Sequence, residues 1–194
     1  MTSPPPFRMT VCGIEELPNH CEAGVTHVLS ILDPSYPVPD AFGGFGEHTR
    51  LELRFHDVTE ITDGAEAPRP EHVEQILALG RDLVTEAPTQ AHLLVHCHAG
   101  VSRSTASMLM ILAQAQPDLP APALAERMLR IREKAWPNLR MLEFAERRLN
   151  RQGVLIDTAL RLYRYQLTVR PHLRESMIHG GREREVKAAQ QASG

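Results

Sequence analysis

The chain has 194 residues, 42% of them apolar and 23% charged, with a net charge of −3. This balance describes one globular domain able to bury a core, and it excludes a broadly basic nucleic-acid binder; no stretch is long and apolar enough to span a bilayer. Cys12, Cys21 and Cys97 are odd in number and lack metal-ligand spacing, so a reducing cytoplasm is expected rather than a disulfide framework.

Residues 1–7 are proline-rich and uncharged, lack the basic start and apolar run of a secretory signal, and are read as an N-terminal tail. Met9 to Ile14 is predicted as a strand, Glu15 to Ala23 as a short helix, and Thr26 to Leu32 as a second strand. Pro34 to His48, with three prolines and three glycines, is a loop. Apolar residues alternate in Leu51 to Phe55, the mark of a half-buried strand. Pro70 suits a first helical turn, and Val73, Ile76, Leu77, Gly80, Leu83 and Val84 define an amphipathic helix over Glu71 to Glu86.

His92 to His96 encloses the apolar run Leu93-Leu94-Val95, as in a central buried strand. A largely apolar helix follows, Ser104 to Gln116, and ends at Pro117. Ala123 to Lys134 and Leu139 to Arg151 read as two more helices, parted by Trp136-Pro137-Asn138. This alternation predicts an α/β domain with a central, mostly parallel sheet of four or five strands flanked by helices. The α/β domain is assigned to 8–153 and a C-terminal helical extension to 154–194. Leu155 to Leu167 has helical spacing; from Gly180 onward the polar, small composition predicts disorder.

The informative segment is His96-Cys97-His98-Ala99-Gly100-Val101-Ser102-Arg103-Ser104. It runs from a buried strand through a short loop into an apolar helix, a setting where backbone amides and the helix dipole favour an anion. None of the six residues His98, Ala99, Gly100, Val101, Ser102 and Arg103 is proline, so each brings a backbone N–H. Arg103 adds a planar fork of donors suited to two phosphate oxygens. The same surroundings favour the thiolate form of Cys97, and the Ser104 hydroxyl is placed to hydrogen-bond a departing sulfur. His96 is read as a supporting residue that orders the loop, and the side chain of His98 is assigned no role.

These residues resemble the signature of the cysteine-based protein tyrosine phosphatase superfamily: His-Cys, five residues, Arg, then Ser or Thr. The segment Arg8 to Leu17 and the short domain are more similar to the compact dual-specificity branch, and the resemblance covers Arg8 to Gly153. It implies a phosphatase that hydrolyses phosphate monoesters through a phosphocysteine on Cys97, without cofactor or metal. Phosphotyrosine proteins lead as substrates, with phosphoserine and phosphothreonine as further candidates. It also implies a general acid. Leu51 to Phe55 leads into His56-Asp57, and a strand parallel to that of Cys97 would open on the same sheet edge; Asp57 is chosen, with Glu60 and Asp63 as rivals.

Alternatives keep the loop and change the chemistry. They are phosphoinositide hydrolysis, disfavoured because the loop has no lysine; sulfur transfer or arsenate reduction; and phosphate binding without turnover. A metal site at His96, Cys97 and His98 lacks partners at zinc spacing. A protective disulfide from Cys97 to Cys12 or Cys21 is a minor alternative. Trp136 is read as packing, Asn138 as a helix cap or a residue shared with dual-specificity relatives, and Arg132, Lys134 and Arg140 as a solvated face. Phosphorylated protein is the expected partner, with no nucleic acid and no membrane; oligomeric state is not legible.

Overall fold

The computed structural model describes residues 5–85 and 90–191. Four strands, β1 (Arg8–Cys12), β2 (His27–Leu32), β3 (Thr49–Arg54) and β4 (His92–His96), pair in the order β1-β4-β2-β3. Every pairing is parallel, so the α/β sheet is as predicted, with four strands.

Parallel neighbours cannot be joined by tight hairpins, and each connection must cross a face of the sheet. The period of two along each strand then sorts the side chains. Leu93 and Val95 of β4, Leu29 and Ile31 of β2 and Leu53 of β3 enter the main core beneath the α-helices. Leu94, Val28 and Cys12 enter a smaller cluster with Leu17, covered by two 3-10 helices, Ile14–His20 and Asp40–Gly44. β4 is buried on both faces, which explains its unbroken apolar run.

Helix α1 (Pro70–Thr85) packs on α2 (Arg103–Ala115), and α2 is buried from Arg103 to Ala113. Then follow α3 (Ala121–Ile131), α4 (Leu139–Leu149) and α5 (Val154–Val169). α5 packs on α3 and α4, and its Leu155, Ala159, Leu162 and Tyr163 join the main core. No helix among the described residues is long and apolar enough to cross a membrane.

Two expectations change. Phe7, assigned to the tail, is buried in the main core; Met1 to Pro4 lie outside the described residues. Disorder from Gly180 is not what the structure has: α6 (Leu173–His179) is followed by α7 (Glu183–Gln191), which packs on α5 and α6. The reason is a narrow stripe that average composition hides. Val186 and Ala189, three residues apart on one helical face, join the main core, and Glu185 is fully buried. Glu86, the expected end of α1, and residues 192–194 also lie outside the described residues.

Candidate active site

In a parallel sheet all strands end on the same edge, and the segments that follow the four strand ends meet there. Gly13 comes after β1, Asp33 after β2, His56-Asp57 after β3 and Cys97 after β4. From Cys97 the chain turns at Gly100, whose φ is +66°, and enters α2 at Arg103. A Cβ on Gly100 would lie 2.4 Å from the carbonyl carbon of Cys12, so the turn requires glycine on both steric and conformational grounds.

The loop's five carbonyls from His98 to Ser102 all accept hydrogen bonds. That of His98 accepts from Ile14 N at 2.9 Å. Those of Ala99 and Gly100 accept from the Arg132 guanidinium at 3.2 and 2.8 Å. Val101 O accepts from Trp136 N at 2.9 Å, and Ser102 O from Ala106 N and Asn138 N at 2.9 and 3.3 Å. A peptide unit points its C=O and N–H in opposite directions, so a loop tied by its carbonyls to its surroundings turns its amides toward its own centre. Among the described residues, the amides from His98 to Arg103 donate no backbone–backbone hydrogen bond. Arg132 is therefore no part of a solvated face. Its other partner is Glu16, at 3.0 and 2.6 Å, whose carboxyl it holds down at about 2.

Cys97 is buried, with its Sγ 3.1 Å from Ser104 Oγ. Its neighbour His96 turns to β2, where Nε2 lies 2.8 Å from Ser30 Oγ, and burial pushes its pKa down to about 4. The ring that was expected to order the loop is thus neutral at pH 7 and fastened to the sheet. His98 accepts from Asp33 N through Nε2 at 3.1 Å and packs edge-on against Tyr36. All three cysteines are free, and burial pushes the Cys12 thiol up to about 12.

Arg103 is 3% exposed. Its Nη1 donates to Asp33 Oδ1 at 2.7 Å and to the Phe55 carbonyl, while its Nε is buried without a hydrogen-bond partner. A buried guanidinium N–H is costly to leave unmet. One corner of the fork is fastened to the scaffold, and the Nε-bearing edge is left for a ligand.

Asp57 Oδ1 accepts from Ser102 Oγ at 2.7 Å and Asn138 Nδ2 at 2.8 Å, and lies 3.2 Å from Arg182 Nη1. Burial by itself would raise its pKa; Arg182 first, then Arg103, Asn138 and Ser102, outweigh that and hold the carboxyl below its ordinary value. Of its rivals, Glu60 lines a separate groove with Ile178 and Arg184, and Asp63 is exposed. Asn138 serves twice, capping α4 at Met141 N and binding Asp57.

Cys97, Arg103, Asp33 and Asp57 share a cleft of about 720 Å3. Val58, Val101 and Trp136 form part of its wall, and the extension contributes Gln166, Arg170, Leu173, Met177, Gly180 and Arg182. Asp33, Arg132 and Arg182 escaped sequence reasoning. Asp33 alone had a usable signal, since it follows a predicted parallel strand just as Asp57 does.

No family model matches the sequence, and no curated protein does. Solved structures do resemble the fold. Human DUSP28 superposes with a TM-score of 0.54 at 18% identity, over 77% of this chain and 94% of that one. DUSP15 gives 0.53 at 20%, over 81% and 94%. The Cydia pomonella phosphatase PTP-2 gives 0.54 at 19%, over 72% and 84%. The chain has the fold of the cysteine-based protein tyrosine phosphatases, in the compact form of the dual-specificity branch.

Proposed function

We propose that the protein is a phosphatase that hydrolyses phosphate monoesters through a phosphocysteine on Cys97. The observation that carries this reading is the loop itself: five carbonyls tied outward around a buried cysteine, closed by an arginine whose Nε has no partner. That arrangement fits a tetrahedral oxyanion seated over the sulfur, with charge on its oxygens met by amides and guanidinium.

In the first step the Cys97 thiolate attacks phosphorus, the bond from phosphorus to the ester oxygen breaks, and Asp57 gives that oxygen its proton. In the second, Asp57 takes a proton from water, the water oxygen bonds to phosphorus, and the P–S bond breaks. The Ser104 hydroxyl, 3.1 Å from Sγ, then donates to the leaving thiolate. Entry of a phosphate dianion brings negative charge beside Asp57 and engages Arg103, which favours the protonated acid that the first step needs.

The substrates are phosphorylated proteins, phosphotyrosine foremost. Apolar side chains of Val58, Trp136, Leu173 and Met177 in the cleft wall suit an aryl ester. The test is hydrolysis of p-nitrophenyl phosphate and of a phosphopeptide panel. Cys97→Ser should be inactive, and Asp57→Ala should lose turnover on phosphotyrosine while still binding it. Full activity in Cys97→Ser, or thiosulfate sulfurtransfer without phosphate release, rejects the proposal.

A further inference from the structure

Just ahead of helix α7, a second arginine reaches back to the candidate acid. Arg182 Nη1 lies 3.2 Å from Asp57 Oδ1, and Nη2 donates to Ser102 Oγ at 3.0 Å. Ser102 Oγ in turn donates to the same Asp57 oxygen. The guanidinium is fixed from behind by Glu185, which accepts from its Nε and Nη2 at 2.7 and 2.8 Å. Glu185 is fully buried and also accepts from the Trp136 indole N–H at 2.6 Å, from Leu139 N at 2.9 Å and from the Tyr163 hydroxyl at 3.2 Å. A buried carboxylate with donors from four residues forms a rigid mount, and what it mounts is Arg182.

We propose that Arg182 is a positioning residue for Asp57: it fixes where the carboxyl lies against the loop and stays beside it through the cycle. The C-terminal extension is then part of the catalytic apparatus. This inference rests on Asp57 being the acid and base of the reaction above.

The groups facing Asp57 come from every element around it. Arg182 approaches from the residue before α7, Ser102 and Arg103 from the loop and the start of α2, and Asn138 from the start of α4. His98 and Tyr163 are within electrostatic reach, and Glu185 and Asp33 stand behind the two arginines. An arriving phosphate engages Arg103 through its Nε edge, whereas Glu185 keeps Arg182 in place. Arg182 is therefore the cation that persists beside Asp57 through the cycle. It sets how far the acid's proton is disfavoured, and it holds the carboxylate ready for the water step.

The experiment is the pH dependence of kcat/KM in the full chain, with phenyl phosphate, whose leaving group needs a proton, beside p-nitrophenyl phosphate, which needs one less. Loss of a cation at this distance from a carboxylate should move the alkaline limb for phenyl phosphate upward by roughly one pH unit or more in Arg182→Gln. Arg182→Lys, which keeps the charge, should return the limb toward the wild-type position. A purely structural role would leave the limb in place. An unmoved limb in Arg182→Gln, with Asp57→Ala still impaired, overturns the inference and leaves the phosphatase reading standing. Unchanged turnover in Asp57→Ala overturns both. A second measurement needs neither variant nor turnover: the Asp57 carboxyl 13C resonance of the wild type should titrate below the usual carboxylate range, and titration at or above it overturns the inference.

Discussion

Arg103 reaches its ligand edge by giving up a corner. Nη1 is held by Asp33 and the Phe55 carbonyl, at the ends of β2 and β3, so the guanidinium is oriented before any anion binds. Lysine keeps charge but has no planar fork, and Arg103→Lys should lower kcat by roughly a hundredfold or more, read in steady-state assays beside a melting curve that shows the fold intact. Arg132 acts one layer further out. Among the described residues its guanidinium binds the carbonyls of Ala99 and Gly100 and the carboxylate of Glu16. Arg132→Met frees two peptide units of the cradle, and kcat/KM should fall roughly ten- to a hundredfold through misplaced amides. At Gly100 a methyl group meets the Cys12 backbone and the residue would sit at positive φ. Gly100→Ala should abolish turnover and cost about 1–3 kcal/mol in denaturant unfolding.

Helices at the end of the chain close the cleft because they share the core of the sheet domain. Tyr163 of α5 stacks on Trp136, and both donate to Glu185 of α7. Glu185→Ala would strand the buried Trp136 indole N–H and the Leu139 N–H and take away the mount of Arg182, and should cost about 3–5 kcal/mol in urea unfolding. What the sequence made legible follows the range of each interaction. β4, the Cys97 loop and α2 are contiguous, so period, spacing and residue type were enough to place them. Asp57 could be chosen because a parallel sheet brings strand ends together. Arg132 could not, since its bond to Glu16 spans 116 residues, and Arg182 could not, since its bond to Ser102 spans 80. An isolated arginine in a polar stretch looks solvated unless its partner is known. The stripe on α7 was missed for a related reason, two apolar side chains being too few to lift the average of a polar segment.

The molecule's acid sensitivity sums several sites of one sign. Neutral His96 has a folded pKa near 4 against an ordinary 6.5, so the unfolded chain binds the extra proton and stability falls as pH drops through that interval. By pH 4 this single group should cost on the order of 3 kcal/mol. Glu16, depressed from 4.5 to about 2, continues the loss at lower pH, since its contribution is present above its unfolded value and vanishes as pH falls through the folded one. Urea midpoints at pH 7, 5.5 and 4 should therefore decline in order; a midpoint that stays level from 7 to 4 contradicts it. The separation of 80 residues between Ser102 and Arg182 also has a meaning in time. At about 5–20 residues per second, synthesis takes roughly 4–16 s to add that length. For those seconds a growing chain holds Cys97 and its loop residues without Arg182, so the bond between Ser102 and Arg182 can close only after the lead-in to α7 has been made.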